Sequence, residues 1–245
     1  MVSRKIVTAR CQLSGSPGGW HAALSCPAGS VLALGTPPAG LRSYLAVRGG
    51  LAVPAVLGSR ATDTLSGLGP AVLATGQRLA IGTVAPGQPG DHPGEPNQLS
   101  QPGWRGSHPG RQGDAELPLT VELAPGPRAG WFDLDNLFHA RWRIRPDSNR
   151  IGIRLAGPAL RLGPGFERAA AELPSEPTLP GAVQVPPDGQ PIVLGPDAPV
   201  TGGYPVVAVL PGAELDALAQ LRPGSELRLV SSSSGPRSAV AGRRR

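Results

Sequence analysis

Short apolar or alternating runs dominate this chain, each cut off within a few positions by glycine, proline or aspartate. They are VLALG (31–35), RSYLAV (42–47), LTVEL (119–123), RWRIR (141–145), RIGIRL (150–155), AVQV (182–185), PIVL (191–194), YPVVAVL (204–210) and ELRLV (226–230). Side chains alternate across a strand with a period of two, so such runs bury one face in a sheet and are too short to bury a helical stripe. Many short strands at turn-separated spacing predict a sandwich or barrel rather than a parallel α/β sheet. Helix is expected at AELDALAQL (213–221), where Leu215, Leu218 and Ala219 share one face and Pro223-Gly224 stops the run, and in shorter form at FERAAAEL (166–173).

One local phrase recurs. Gly29-Ser30-x-Leu32-x-Leu34, Gly76-Gln77-x-Leu79-x-Ile81 and Gly224-Ser225-x-Leu227-x-Leu229 each place a turn before an alternating strand. The phrase repeats a device and is not a solenoid period. With Gly 35 and Pro 30, more than a quarter of the chain is turn-former. The excess gathers between strands and in two segments of low complexity. Residues 84–116, VAPGQPGDHPGEPNQLSQPGWRGSHPGRQGDAE, are expected to be a flexible Pro/Gly-rich insertion, and residues 231–245 a disordered tail.

The formal charge of +6 is carried almost wholly by arginine, Lys5 being the sole lysine. The arginines are scattered, aromatics make up only 4% and no nucleic-acid motif is present, so nucleic acid is not an expected partner. Cys11 and Cys26 lack the paired spacing of a zinc site or a disulfide framework, and no metal site is expected. No run approaches the roughly 20 apolar residues of a membrane span, and no signal-type segment opens the chain. A cytoplasmic protein that does not enter a membrane is the expectation.

Several common chemistries are absent. There is no G-x-x-x-x-G-K-[ST], so any nucleotide needs another cradle, and the G-x-S-x-G, S-x-x-K and H-E-x-x-H signatures are missing. His21, His92, His108 and His139 are isolated in sequence. Four segments remain. In RSYLAVRGGLAVPAVLGSRATDTLSGLG (42–69), Gly58-Ser59-Arg60 opens a polar turn whose amides, with Arg60, Ser59 and Thr62, suit a carboxylate or phosphate; the competing reading is a tight turn capped by Asp63 and Thr64. In RWRIRPDSNRIGIRL (141–155), Arg141, Arg143 and Arg145 share a strand face that is either an anion-binding wall or a solvated surface. In PGAVQVPPDGQPIVLGPD (180–197), a hairpin turn at Pro187-Asp188-Gly189 is expected to bring Gln184 near Gln190; two amides that donate and accept suit an amide or lactam, although ordinary cross-strand pairing also explains them. Finally, Thr201, Gly202, Gly203 and Tyr204 stand at the mouth of a strand, where open glycine amides and a phenol would make an oxyanion site.

Together RSYLAVRGGLAVPAVLGSRATDTLSGLG, DSNRIGIRLAGP, GAVQVPPDGQPIVL, VTGGYPVVAVL and LAQLRPG resemble, in order, the hallmark segments of the biotin-dependent carboxyltransferase-like family, which includes the C subunit of 5-oxoprolinase (KipA), allophanate hydrolase subunit 2 and the matching domain of urea carboxylase. The resemblance covers roughly residues 9–83 and 117–230. It implies a mainly β protein with two cyclophilin-like β-barrel domains: a first, incomplete barrel in 1–83 and a second in 117–230. Family members usually begin with a segment resembling TTVQDLGRPG, a Gly-Ala-x-Asp turn and an Asn-x-Leu-Val-Gly-Asn helix, none of which is here, so an N-terminal truncation is expected.

The resemblance further implies the C subunit of an ATP-dependent 5-oxoprolinase, opening 5-oxo-L-proline to L-glutamate in company with its sister subunits, one of them KipI-like. ATP would be bound by the complex and not by a P-loop here. Carried onto this sequence, the expected catalytic residues are Arg150, Gln184 and Tyr204, with substrate bound by Ser59, Arg60, Asn149, Gln190, Thr201, Gly202 and Gly203. The alternatives are a carboxyltransferase of the urea carboxylase type, with biotin carried on another chain, and a non-catalytic binding partner or fragment.

Overall fold

The computed structural model describes residues 11–17, 24–37, 40–83 and 118–232. The expected insertion at 84–116 lies outside the described residues, as does the expected tail beyond Ser232. The chain divides into two units, Met1–His108 and Pro109–Arg245.

In the first unit, β1 (Cys11–Leu13), β2 (Ser16–Pro17) and β3 (Leu32–Leu34) form an antiparallel sheet in the order β2-β1-β3. Its register pairs Cys11 with Leu34 and Gln12 with Pro17. Residues 40–83 are turns and extended segments joined by isolated bridges, Leu51 to Ile81, Val56 to Ser59 and Asp63 to Leu68. The strand expected at RSYLAV is not formed, and Tyr44 and Leu45 of that segment are exposed. Alternation is a signal that a sheet face exists to be buried, and here nothing apolar covers it.

The second unit is a barrel. Its elements are β4 (Leu119–Pro125), a 3-10 turn at Ala129–Trp131, β5 (Phe132–Asp133), α1 (Asp135–His139), β6 (Arg141–Ile144), β7 (Gly152–Ala156), β8 (Arg161–Leu162), α2 (Glu167–Ala171), β9 (Glu176–Pro177), β10 (Ala182–Gln184), β11 (Ile192–Leu194), β12 (Thr201–Gly202), β13 (Val206–Val209), α3 (Gly212–Ala219) and β14 (Glu226–Ser231). The strands close in the order β10-β11-β7-β6-β14-β4-β13. Every neighbouring pair is antiparallel except β14 with β4. Closure leaves no open edge in this sheet, which is how a short-stranded protein avoids edge pairing with other chains. The pairs β5–β8 and β9–β12 lie outside the closed sheet.

The period of two does what it promises in β6: Trp142 and Ile144 are buried while Arg141 and Arg143 face outward. Trp142 is wholly buried among Val121, Leu123, Leu155, Leu227 and Leu229, and its indole Nε1 donates to the Leu137 carbonyl at 3.0 Å. That bond ties α1 to the core while satisfying the ring's only donor. Ser231 completes β14 and Ser232 donates to the Leu123 carbonyl at 2.8 Å, so ordered chain reaches two residues into the expected tail.

Candidate functional site

Gly58-Ser59-Arg60 proves to be a turn. Val56 and Ser59 exchange both backbone hydrogen bonds, at 2.8 and 3.0 Å, across Leu57 at φ 49 and Gly58 at φ 81. Two successive positive φ values define a type I′ hairpin turn. Ser59 Oγ accepts from the Ala61 N–H at 3.1 Å and Arg60 Nε donates to the Val53 carbonyl at 3.0 Å, so both side chains brace the loop. Asp63 caps the next turn, accepting from the Leu65 and Ser66 N–H groups and from Ser66 Oγ at 2.6 Å. The Ser66 hydroxyl bond, followed by the two backbone bonds, holds the Asp63 carboxyl below its usual pKa.

Ser148, Asn149 and Arg150 are likewise engaged in building the β6–β7 connection. Asn149 Oδ1 accepts from the Ile151 and Gly152 N–H groups, and Ser148 Oγ accepts from the Arg154 N–H. The Arg150 guanidinium grips Asp197 with two bonds of 2.7 and 2.8 Å. A planar fork so filled serves the loop after β11. The Gln190 amide clasps the Gly157 peptide from both sides, each bond 3.1 Å. Gln184 turns to different neighbours, so the two glutamines do not face one another.

What the structure does bring together is Gln184 with Gly202 and Tyr204. Gln184 closes β10 opposite Val206, and among the described residues it is the one buried polar side chain, 6% exposed. Its Nε2 donates to the Tyr204 carbonyl at 3.3 Å. Its Oε1 accepts nothing among the described residues, yet it is not a sealed orphan atom and keeps an opening to solvent. A buried amide with one oriented donor and one open acceptor is poised for a partner that donates an N–H.

The two glycines differ sharply. A Cβ on Gly202 would lie 2.6 Å from Gln184 Nε2 and 3.2 Å from Thr178 Cγ2, so the amide can rest there only because the residue is glycine. Around Gly203 a Cβ would meet nothing within 4 Å. Their N–H groups differ too. Thr201 stands opposite Pro177, and the Thr178 N–H to Val200 carbonyl bond, 2.8 Å, makes that a non-hydrogen-bonded pair. Alternation along an antiparallel ladder then makes Gly202 and Glu176 the bonded pair, which uses the Gly202 N–H on the Glu176 carbonyl. Gly202 is therefore not the open donor that the sequence suggested; Gly203, just past the ladder in open space, is the residue whose N–H is available. Tyr204 beside it is 46% exposed.

Two further groups escaped the sequence reading. Arg128 forms an ion pair with Glu176, and its guanidinium lies over the Trp131 ring, 4.9 Å from the centroid. Trp131 in turn stacks on Phe166 with centroids 5.7 Å apart. Nothing in a short local pattern links position 128 to position 176; the barrel does.

A closed barrel carrying an amide-lined mouth beside a glycine pair is the architecture of carboxyltransferase-type domains. Residues 7–231 match the family described as the carboxyltransferase domain, subdomain A and B, and the chain belongs to that family. It is 36% identical over 218 residues to the 5-oxoprolinase C subunit of Escherichia coli, covering 86% of this chain and 62% of that one. It is 32% identical to the 5-oxoprolinase C subunit of Haemophilus influenzae, over 82% of this chain and 59% of that one, so the chain spans about three fifths of the bacterial relatives it matches. Urea amidolyase of Saccharomyces cerevisiae is 29% identical over 91% of this chain and 12% of that one. Among solved structures, TTHA0988 superposes with a TM-score of 0.69 at 30% identity, covering 92% of this chain and 40% of that one. Urea amidolyase of K. lactis shares the fold, with a TM-score of 0.66 at 23% identity over 92% of this chain and 14% of that one.

Proposed function

We propose that this chain works as the C subunit of an ATP-dependent 5-oxoprolinase, supplying the surface that grips the lactam amide of 5-oxo-L-proline. The observation that carries this reading is the Gln184–Gly203 mouth. A lactam holds its amide cis, so its N–H and C=O point to the same side. The open Gln184 Oε1 accepts from the ring N–H, and the Gly203 N–H donates to the ring carbonyl oxygen, where negative charge develops when the amide is attacked. Tyr204 adds a phenol at the rim. Arg150 and Arg60, already engaged with Asp197 and the Val53 carbonyl, support loops in this scheme and do not carry charge relay.

Amide resonance makes a lactam carbonyl a poor electrophile, and phosphorylating its oxygen creates a better leaving group; that is the chemistry ATP supplies. This chain has no Walker-type loop and a single lysine, Lys5, outside the described residues. ATP is accordingly assigned to the sister subunits, one of them KipI-like, whose existence the names of the bacterial relatives support. The test is reconstitution: 5-oxoproline-dependent ATP hydrolysis should require this chain together with its sister subunits. Equal turnover without the chain would refute the reading.

The similarity to urea amidolyases favours one second reading, transfer of a carboxyl group from biotin on another chain to a urea-like amide at the same mouth. Carboxyl transfer to urea from a carboxylated biotin carrier, with no response to 5-oxoproline, would select it.

A further inference from the structure

We infer that Arg128 and Glu176 are positioning residues: their ion pair holds β9 against β12, and so keeps the Gly203 N–H presented at the mouth. The inference rests on the reading of that mouth as the amide-binding site. A ladder of two residues, such as β9 with β12, does not hold itself together. Something must pin it, and the pins are visible. The Arg128 N–H donates to the Val206 carbonyl at 2.9 Å, which anchors residue 128 to the start of β13, the strand that also pairs with Gln184. From there the guanidinium reaches Glu176, directly opposite Gly202 in the register. Thr178 closes the other end, its Oγ1 donating to the Pro199 carbonyl at 2.5 Å and its N–H to Val200.

This ion pair is unlike the others of the barrel. Arg128 and Glu176 side chains are 28% and 26% exposed, whereas Arg141, Arg143 and Arg168 pair from positions above 60% exposure, where solvent weakens such contacts. Arg128 is also held by the Trp131 face, which Phe166 backs. Its Nε is buried and donates to nothing among the described residues. Leaving a donor orphaned is unfavourable, and an apolar residue would fill the volume without it. Such an arrangement is explained by what the opposite end of the guanidinium does: it fixes Glu176, whose carbonyl orients Gly202 and hence Gly203.

The experiment uses the full chain and amide hydrogen exchange. The protected N–H groups of Glu176, Thr178 and Gly202 report on the small ladder, and those of β6 and β7 report on the barrel. Arg128→Met, which keeps the side-chain bulk but removes the charge, and Glu176→Gln should each speed exchange at the ladder about tenfold or more while β6 and β7 are unchanged. Arg128→Lys, still able to reach Glu176, should recover much of the protection. Unchanged exchange at the ladder, or equal loosening of ladder and barrel, overturns the inference; if Arg128→Met does not fold, Glu176→Gln decides alone. In the complex with sister subunits the same variants should lower kcat about tenfold with KM little changed, since a displaced oxyanion donor is felt chiefly in the transition state. Full kcat in a variant with a loosened ladder would also overturn it. A wild-type complex without 5-oxoproline-dependent turnover would remove the proposed function but leave the exchange result to stand or fall by itself.

Discussion

The phrase turn-then-alternating-strand is written three times in this chain, and two of its copies come to a different end from the third. The turns themselves are alike. Gly29, Gly76 and Gly224 have φ of 83, 79 and 86, and each is followed by a residue whose N–H closes the turn: Ser30 to Pro27 at 3.0 Å, Gln77 to Ala74 at 3.1 Å, Ser225 to Arg222 at 3.0 Å. A positive φ at the third residue alone is the type II turn, for which glycine is the natural choice. Beyond the turn the copies part. Leu227 and Leu229 are wholly buried in β14, between β4 and β6, whereas Leu34 is 44% exposed and Ile81 is 52% exposed in the first unit. Local chemistry makes the turn; only neighbours on both edges and a covering face make a core strand.

The largest effect that tests this contrast is in the barrel. Trp142→Ala should cost about 3–5 kcal/mol, because it empties the centre of the core and removes the bond to Leu137. Leu73→Ala, at an exposed site of the first unit, should stay within about 0.5 kcal/mol, and both are read by denaturant unfolding. Next comes Gly157→Ala. Its Cβ would stand 2.6 Å from Trp142 Cε3, and since that ring is fully buried the cost should be about 1–3 kcal/mol.

The glycine pair gives the same contrast on the scale of one peptide. Gly202→Ala drives a methyl to within 2.6 Å of Gln184 Nε2 and should lower stability by about 1–3 kcal/mol. Gly203→Ala has open space and no positive φ, so its melting should match the wild type within about 0.5 kcal/mol. Turnover in the reconstituted complex should nonetheless fall roughly tenfold to a hundredfold, because the methyl occupies the ground where the lactam must sit. Parallel loss of stability and turnover at Gly203 would return both glycines to the role of a plain turn.

The smallest effect is electrostatic. The Asp63 carboxyl is held below its usual value of 3.8 mainly by the Ser66 hydroxyl, with backbone bonds from Leu65 and Ser66. A depressed folded pKa contributes stability that is present above the unfolded value and is lost as pH falls through the folded one. The turn at 63–68 should therefore loosen only below about pH 4, seen as faster exchange of the Leu65 N–H, and Asp63→Asn should abolish that pH dependence.

How much of this was legible beforehand follows the same division. In the barrel, strands at LTVEL, RWRIR, AVQV, PIVL, YPVVAVL and ELRLV stand where the alternation put them, and the helix expected at 213–221 runs over Gly212–Ala219. There periodicity and burial agree because the sheet closes. RSYLAV carries the same local signal and forms no strand, since period alone does not say whether a neighbour exists. Of the site, the glycine pair, Gln184 and Tyr204 were visible as residues out of place: glycines at a strand mouth, an amide among apolar positions. Which glycine keeps a free N–H depends on the register of β9 with β12, and that Arg128 meets Glu176 depends on the barrel; neither is encoded in any window of neighbouring residues.

The central claim is that Gly203, and not Gly202, offers its N–H to a small amide beside Gln184. Titrating the full chain with 5-oxo-L-proline while recording backbone amide resonances tests it directly. The account predicts a progressive shift of the Gly203 resonance, accompanied by the Gln184 side-chain amide, with Gly202 still protected in its ladder. Saturating ligand that moves Gly202, or resonances elsewhere, while leaving Gly203 and Gln184 in place would contradict it.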